Sequence, residues 1–399
     1  MKAKKIICMI LALAMVLALA ACGESANPPA ESAPADSAPA TASSDNTDSD
    51  VGTAVSTGTE ESANFQFPED LPEFKIGCIG VYTGSELYIQ WKNNLQSLED
   101  KFNVSFQFVD QGGDTAADVE NMCTAGVNGI LMQGCSESIL QITEKYNVPL
   151  AVYCQTFSDE EMEAFSKYST FLGVISEDDN IGARDAAQAM YDAGCRNVAV
   201  AGLTRGLAQS QDNRADSFVA RFKEIGGNII AEDYTYALFA DSISSFAAAY
   251  PEMDGVFSVF LLEGVFQAFS TEGLIGNAKL ASFDLTENCI DFLNNGTMVF
   301  TACGQQGTIM AAFAMLYNYL YDGTYLVPDR SEMVVRNFIN IYNAEDADDY
   351  NKYIRYSTIY SPEEIGNMIV GFNPEFSFEA FQELNQSYSI ADVKARTGA

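Results

Sequence analysis

The stretch "DTAADVENMCTAGVNGILMQGCSESIL", residues 114 to 140, contains a helix, a strand and a second helix in succession. Asp114 and Ser136 each stand just ahead of a run of helical spacing, where a side-chain oxygen can accept from the orphan N–H groups of a first turn. Between the two runs, the apolar "GILMQG" is too short for a helix and reads as a buried strand.

The same alternation continues on both sides. Short β-rich runs, "KIGCIGV", "VSFQFVD", "GILMQG", "PLAVYC", "FLGVIS", "NVAVAG", "NIIAEDY", "GVFSVF", "KLASFD" and "MVFTACG", are separated by stretches of helical period. Strands alternating with helices mean an α/β fold with parallel sheets. In "DSFVARFKEIGG" the residues Phe218, Phe222 and Ile225 line one face, Asp212 is a candidate N-cap, and Gly226-Gly227 ends the helix. Roughly 270 residues of this pattern exceed one doubly wound sheet, so two similar lobes are expected.

In order along the chain, these segments resemble the type I periplasmic binding proteins of the ribose- and galactose-binding kind. The match runs from about Lys75 to Pro328: "KIGCIGVYTGSELYIQW", the segment from Asp114 to Leu140, "NVPLAVY", "GVISEDDNIGARDAAQAM", "QDNRADSF", "LASFD" and "FTACGQQ". The resemblance implies two Rossmann-like lobes joined by three crossing segments, near Ser176, Gln305 and Pro328. Lobe one would then be 74–175 and 306–327, and lobe two 176–305 and 328–345, with 346–399 as an extension of unknown role. It also implies a small polar ligand held between the lobes, delivery to ABC permease subunits, no cofactor and a monomeric chain.

Carried over position by position, the resemblance nominates Arg214, Asp284 and Gln305 as ligand contacts. An arginine fork, an aspartate at a strand end and a hinge glutamine supply donors and acceptors for hydroxyl groups. Tyr88 and Tyr234, with Tyr236 as competitor to Tyr234, stand for the aromatics that cover an apolar sugar face. Gln155, Ser85 and Glu86 occupy contact positions with unfamiliar residues: Cys154-Gln155 replaces an Asp-Arg pair, and Ser258-Val259 replaces an "anD" motif. These departures leave the ligand open among a carbohydrate, which leads, a nucleoside, a signalling sugar or another polar solute. The bland alternatives are that Asp284 caps a helix, that Arg214 pairs with Asp212 or Asp216, and that Trp91 packs its helix.

Upstream, Lys2, Lys4 and Lys5 precede sixteen apolar residues, Ile6 to Ala21, ending in "LAAC" at Cys22. The layout is that of an export signal, residues 1–21, and Leu19 to Cys22 resembles a lipobox, which implies lipidation of Cys22 and anchoring to the outer face of a membrane. Residues 22–73 then form an acidic linker expected to be disordered, poor in large apolar side chains. The whole chain of 399 residues carries a formal charge of −34 and no histidine. Loss of residues 1–21 would remove three of the 21 basic residues and none of the 55 acidic ones, leaving −37. Nucleic acid and anionic surfaces are poor partners for such a chain, and every His-dependent catalytic or metal arrangement is excluded. A surface enzyme is therefore disfavoured, and a sensor for a membrane kinase or chemoreceptor stands as the alternative to import. The seven cysteines after Cys22 are scattered, odd in number and without a CxxC pair, which predicts buried free thiols. In the extension, "FEAFQEL" is amphipathic and expected on lobe two, and the acidic Glu345, Asp346, Asp348 and Asp349 lack the glycine and distal glutamate of a calcium loop.

Overall fold

A computed structural model describes residues 66–80, 86–110, 114–235 and 239–397. Twelve strands follow in order: β1 Phe74–Gly80, β2 Val104–Asp110, β3 Gly129–Met132, β4 Leu150–Tyr153, β5 Phe171–Glu177, β6 Asn197–Ala201, β7 Asn228–Asp233, β8 Gly255–Ser258, β9 Lys279–Phe283, β10 Met298–Cys303, β11 Val334–Arg336 and β12 Ile339–Ile341. They form two six-stranded sheets, in the orders β11-β5-β4-β3-β1-β2 and β12-β10-β9-β8-β6-β7. The first is parallel throughout and the second parallel except for β12, which pairs antiparallel with β10. Strands β3, β4 and β8 are buried along their whole length, as strands covered on both faces must be.

Helix caps fall where the sequence places two of them: Asp114 accepts from the Ala117 N–H at 3.2 Å and Ser136 from the Ile139 N–H at 3.4 Å. Asp212 does not cap. The helix Gln209–Glu224 starts three residues earlier, and Asp212 instead accepts from the Gly206 N–H at 2.7 Å, closing the turn before the helix. Phe218 and Phe222 are fully buried, with Phe218 stacked on Phe257 at 3.9 Å, while Ile225 is only half-buried at the helix end.

The chain leaves the first sheet after β5, builds the second through β10, and returns in the helix Thr308–Asp322. That helix is buried over Thr308–Asn318 and packs on β3, β4 and β5. An all-round apolar helix can be stable only inside a core. The third crossing is displaced from the position expected near Pro328. Residues 328–336, expected in lobe two, stay with lobe one, because β11 pairs with β5 from Val334↔Ile175 to Arg336↔Glu177. The chain crosses at Asn337-Phe338 and β12 joins the second sheet. The extension also departs from expectation: the helix Phe378–Gln386, which carries "FEAFQEL", packs on β11 of the first lobe.

All seven described cysteines are free, five of them buried and Cys135 and Cys154 partly so. The acidic cluster opens the helix Ala344–Tyr350 behind the N-cap Asn343, and Asp349 pairs with Lys394 at 2.5 Å. No described helix is long and apolar enough to cross a membrane. The predicted signal, Cys22 and most of the linker lie outside the described residues.

Candidate functional site

Two non-glycine residues leave their strands in left-handed backbone conformation: Cys154 after β4, at φ 51°, and Asp284 after β9, at φ 75°. They stand at carboxyl ends of parallel strands, one in each lobe, which is where open α/β sheets bind ligands. Such geometry persists only where the surroundings fix it. At Asp284 the N–H donates to the Ala302 carbonyl at 2.7 Å, and the carbonyl accepts from Thr301 Oγ1 at 2.6 Å. The carboxylate Oδ1 accepts from Gln305 Nε2 at 2.8 Å.

Arg214, 8 % exposed, projects from the helix Gln209–Glu224. Its Nε donates to Oδ1 of Asp179 at 2.7 Å and its Nη1 to the Val259 carbonyl at 3.1 Å, with the guanidinium 4.0 Å over the Phe283 ring. The hydroxyl of Thr156, from the first lobe, donates to Oδ2 of the same Asp179 at 2.9 Å. A continuous polar chain therefore spans the seam between the lobes.

The electrostatics are dominated by burial. Burial pushes the Asp284 and Asp179 carboxyls above the ordinary range, and in both cases the Arg214 charge opposes the rise. Glu177, at the end of β5, is pushed up to about 7 by burial, a rise that Asp179 reinforces and that Arg336 and Arg214 oppose. It is 5 % exposed, and its Oε1 has no hydrogen-bond partner among the described residues. Three carboxyl groups and one forked cation, beside an aromatic ring, can accept from and donate to a compact polyhydroxyl ligand.

Of the residues nominated from sequence, Asp284 and Gln305 are in direct contact, and Arg214 is electrostatically coupled to Asp284. Tyr88, on the helix Glu86–Gln96, is buried against the end of β1, where a Cβ on Gly80 would sit 2.5 Å from its ring. Gln155 Nε2 donates to the neighbouring Thr156 carbonyl at 3.3 Å. Glu86 is held by Arg355 of the extension, at 2.5 and 2.6 Å. Tyr234 is drawn into a separate surface contact: its ring lies 3.8 Å under Arg205 and its hydroxyl donates to Glu232 at 2.6 Å. Ser85 and Tyr236 lie outside the described residues. The surface partners considered for Arg214 belong to Arg205, which meets Asp212 at 3.5 Å and Asp216 at 2.8 Å. Trp91 does pack its helix, donating from its indole nitrogen to the Gln305 carbonyl at 3.0 Å. Asp179, Glu177 and Thr156 were missed. The available signal was the run Glu177-Asp178-Asp179, which begins at the last residue of the otherwise apolar strand β5, where charge is unexpected unless it is used.

No family model and no curated protein matches this chain. Solved structures do, at low identity. An ABC transporter periplasmic solute binding protein from Actinobacillus succinogenes with bound D-allose is 17% identical, with 70% of this chain and 100% of that one covered at a TM-score of 0.60. A periplasmic ribose ABC transporter protein from Conexibacter woesei is 14% identical over 70% and 95% at 0.60. An ABC transporter solute binding protein from Bacillus halodurans with bound myo-inositol is 15% identical over 72% and 100% at 0.58. With its two mostly parallel six-stranded sheets and its returning crossings, the chain has the fold of the type I periplasmic binding proteins.

Proposed function

We propose that the protein captures a small polar solute, a sugar in the first place, between its lobes and delivers it to an ABC importer outside the cytoplasm. The observation that carries this reading is the convergence of Arg214, Asp179, Asp284, Gln305 and Glu177 at the seam, with Asp284 locked in left-handed backbone. Carboxylates that accept from hydroxyls, a forked donor and an aromatic ring suit a polyol better than an apolar ligand. Solute-binding proteins of this fold hold D-allose and myo-inositol. Capture without turnover agrees with a chain that contains no histidine. The protein works as a monomer, tethered through a lipidated Cys22 at the outer face of a membrane, with the acidic linker as a leash.

The test is a thermal-shift screen over aldoses, ketoses, inositols and nucleosides. A ligand at 100 times its Kd adds about 2.7 kcal/mol of stability, enough to move the melting temperature by degrees. Stabilisation by a nucleoside and by no sugar would replace the ligand class, and conversion of any bound solute would overturn capture.

A further inference from the structure

The chain does not stop crossing between the lobes at Asn337-Phe338. The helix Ala344–Tyr350 lies on the second lobe: it packs against β12 and the helix Glu287–Asn294, and Asp346 accepts from the Tyr342 N–H at 2.9 Å. Beyond Ser357 the chain is held by the first lobe. The Ile359 N–H donates to Asn94 Oδ1 at 3.0 Å, and Asn318 donates to the Met368 carbonyl at 2.9 Å and accepts from the Val370 N–H at 2.7 Å. Asn385 accepts from Arg336 at 2.7 Å. Between these attachments lies a single π-helical turn, Asn351–Arg355. Turns of this kind are rare and frequently sit at functional sites.

Both ends of the joint are fixed. At its start Tyr350 is 2 % exposed, its hydroxyl paired with the Gln306 amide at the second crossing. At its end Arg355, 5 % exposed, donates from Nε and Nη2 to the two carboxylate oxygens of Glu86 on the first lobe, and from Nη1 to Asn351 Oδ1 at 3.1 Å. Parting the lobes carries the helix Ala344–Tyr350 away with the second lobe, while residues 357–397 stay with the first, joined to that helix also by the Lys394–Asp349 pair at 2.5 Å. The joint must then unwind or rotate, against a forked ion pair whose geometry tolerates little displacement.

We propose that residues 344–397 form a strap across the clamshell, with the Arg355–Glu86 pair holding its joint short, so that the strap limits opening and biases the unliganded protein towards the closed state. A protein already biased to its binding-competent state gives up less of its affinity to closure. The device does not depend on what the ligand is, and it is tested without one.

In the full chain, spin labels on cysteines introduced at the exposed Glu160 of the first lobe and Glu272 of the second report the interlobe distance by electron–electron resonance, with the chain lacking both substitutions as background. Arg355→Ala should raise the long-distance population about tenfold, Glu86→Gln should do the same in the same direction, and Arg355→Lys should fall between them and the wild type. Glu86 is 47% exposed at its side chain, so Glu86→Gln is expected to fold with an unchanged unfolding midpoint. A Glu86→Gln chain with the wild-type distance distribution overturns the proposal. So does a shift that appears only together with a lowered unfolding midpoint.

Discussion

Arg214 Nε and Asp179 Oδ1 lie 2.7 Å apart, with side chains 9% and 4% exposed, where the second lobe begins. The pair holds the arginine of the seam's polar chain in place, and Thr156 ties it to the other lobe at 2.9 Å. It bears at once on ligand affinity and on the integrity of the fold.

Arg214→Ala leaves Asp179 buried without its counter-charge, which should cost about 3 kcal/mol of folding stability. Affinity for the solute should fall by a further 2 kcal/mol or about that, through the lost charge-assisted donors. Urea unfolding of Arg214→Ala, Asp179→Asn and the double variant checks the first part. Strictly additive losses would mean that the two side chains do not act as a pair.

Glu177 gives the stability a pH dependence of defined sign. Its carboxyl titrates near about 7 in the folded protein, against about 4.3 in an unfolded chain, so between those values the folded state holds the extra proton. The contribution is fully present below the unfolded value and is lost as pH rises through the folded one, by at most about 4 kcal/mol. Glu177→Gln removes this loss. Its unfolding free energy relative to wild type should therefore climb from about pH 5 to about pH 8, and a difference that stays flat would contradict the assignment.

Gly307, just after the second crossing, lies against Arg336, and a Cβ added there would sit within the guanidinium. That arginine is fully buried, 3.6 Å over the Tyr388 ring and bonded to Asn385 and Tyr360. Gly307→Ala should cost about 1 to 3 kcal/mol by overpacking, measured by chemical denaturation. Wild-type stability would show that the arginine has room to move.

Burial pushes the Cys123 thiol up to about 11 and those of Cys135 and Cys195 up to about 12. Thiolate, the reactive form, is therefore scarce at neutral pH. Alkylation of the folded, unreduced protein should be slow, and unfolding without reductant should expose all seven thiols. Any that still resist labelling would reveal a disulfide.

The proposed lipid anchor at Cys22 has its own test. Cys22→Ala should leave an uncleaved or mislocalised precursor, while wild type partitions into detergent and carries acyl mass on its first mature residue. A wild-type mature chain free of lipid excludes the anchor.

The alternation of strand and helix was legible because each element states its own period and caps: Asp114 and Ser136 sit at helix starts in both sequence and structure. Strands β11 and β12 were not, since three residues on either side of a crossing show no alternation, and only the partner strand makes them strands. Asp284 and Gln305, nominated from strand-end position and motif, do stand in contact. Asp179 was hidden because its value lies in a partner 35 residues away, and Glu86 misled because Arg355, 269 residues on, claims it.

The placement of β11 also settles the order in which the molecule can be completed. The first sheet begins at Phe74 yet lacks its outer strand until Arg336 is present, and the second, begun at Asn197, lacks β12 until Ile341. Local pairings form before distant ones close their loops. Each sheet should therefore gather its five consecutive strands first and its edge strand last. Neither lobe is therefore one continuous stretch of the chain.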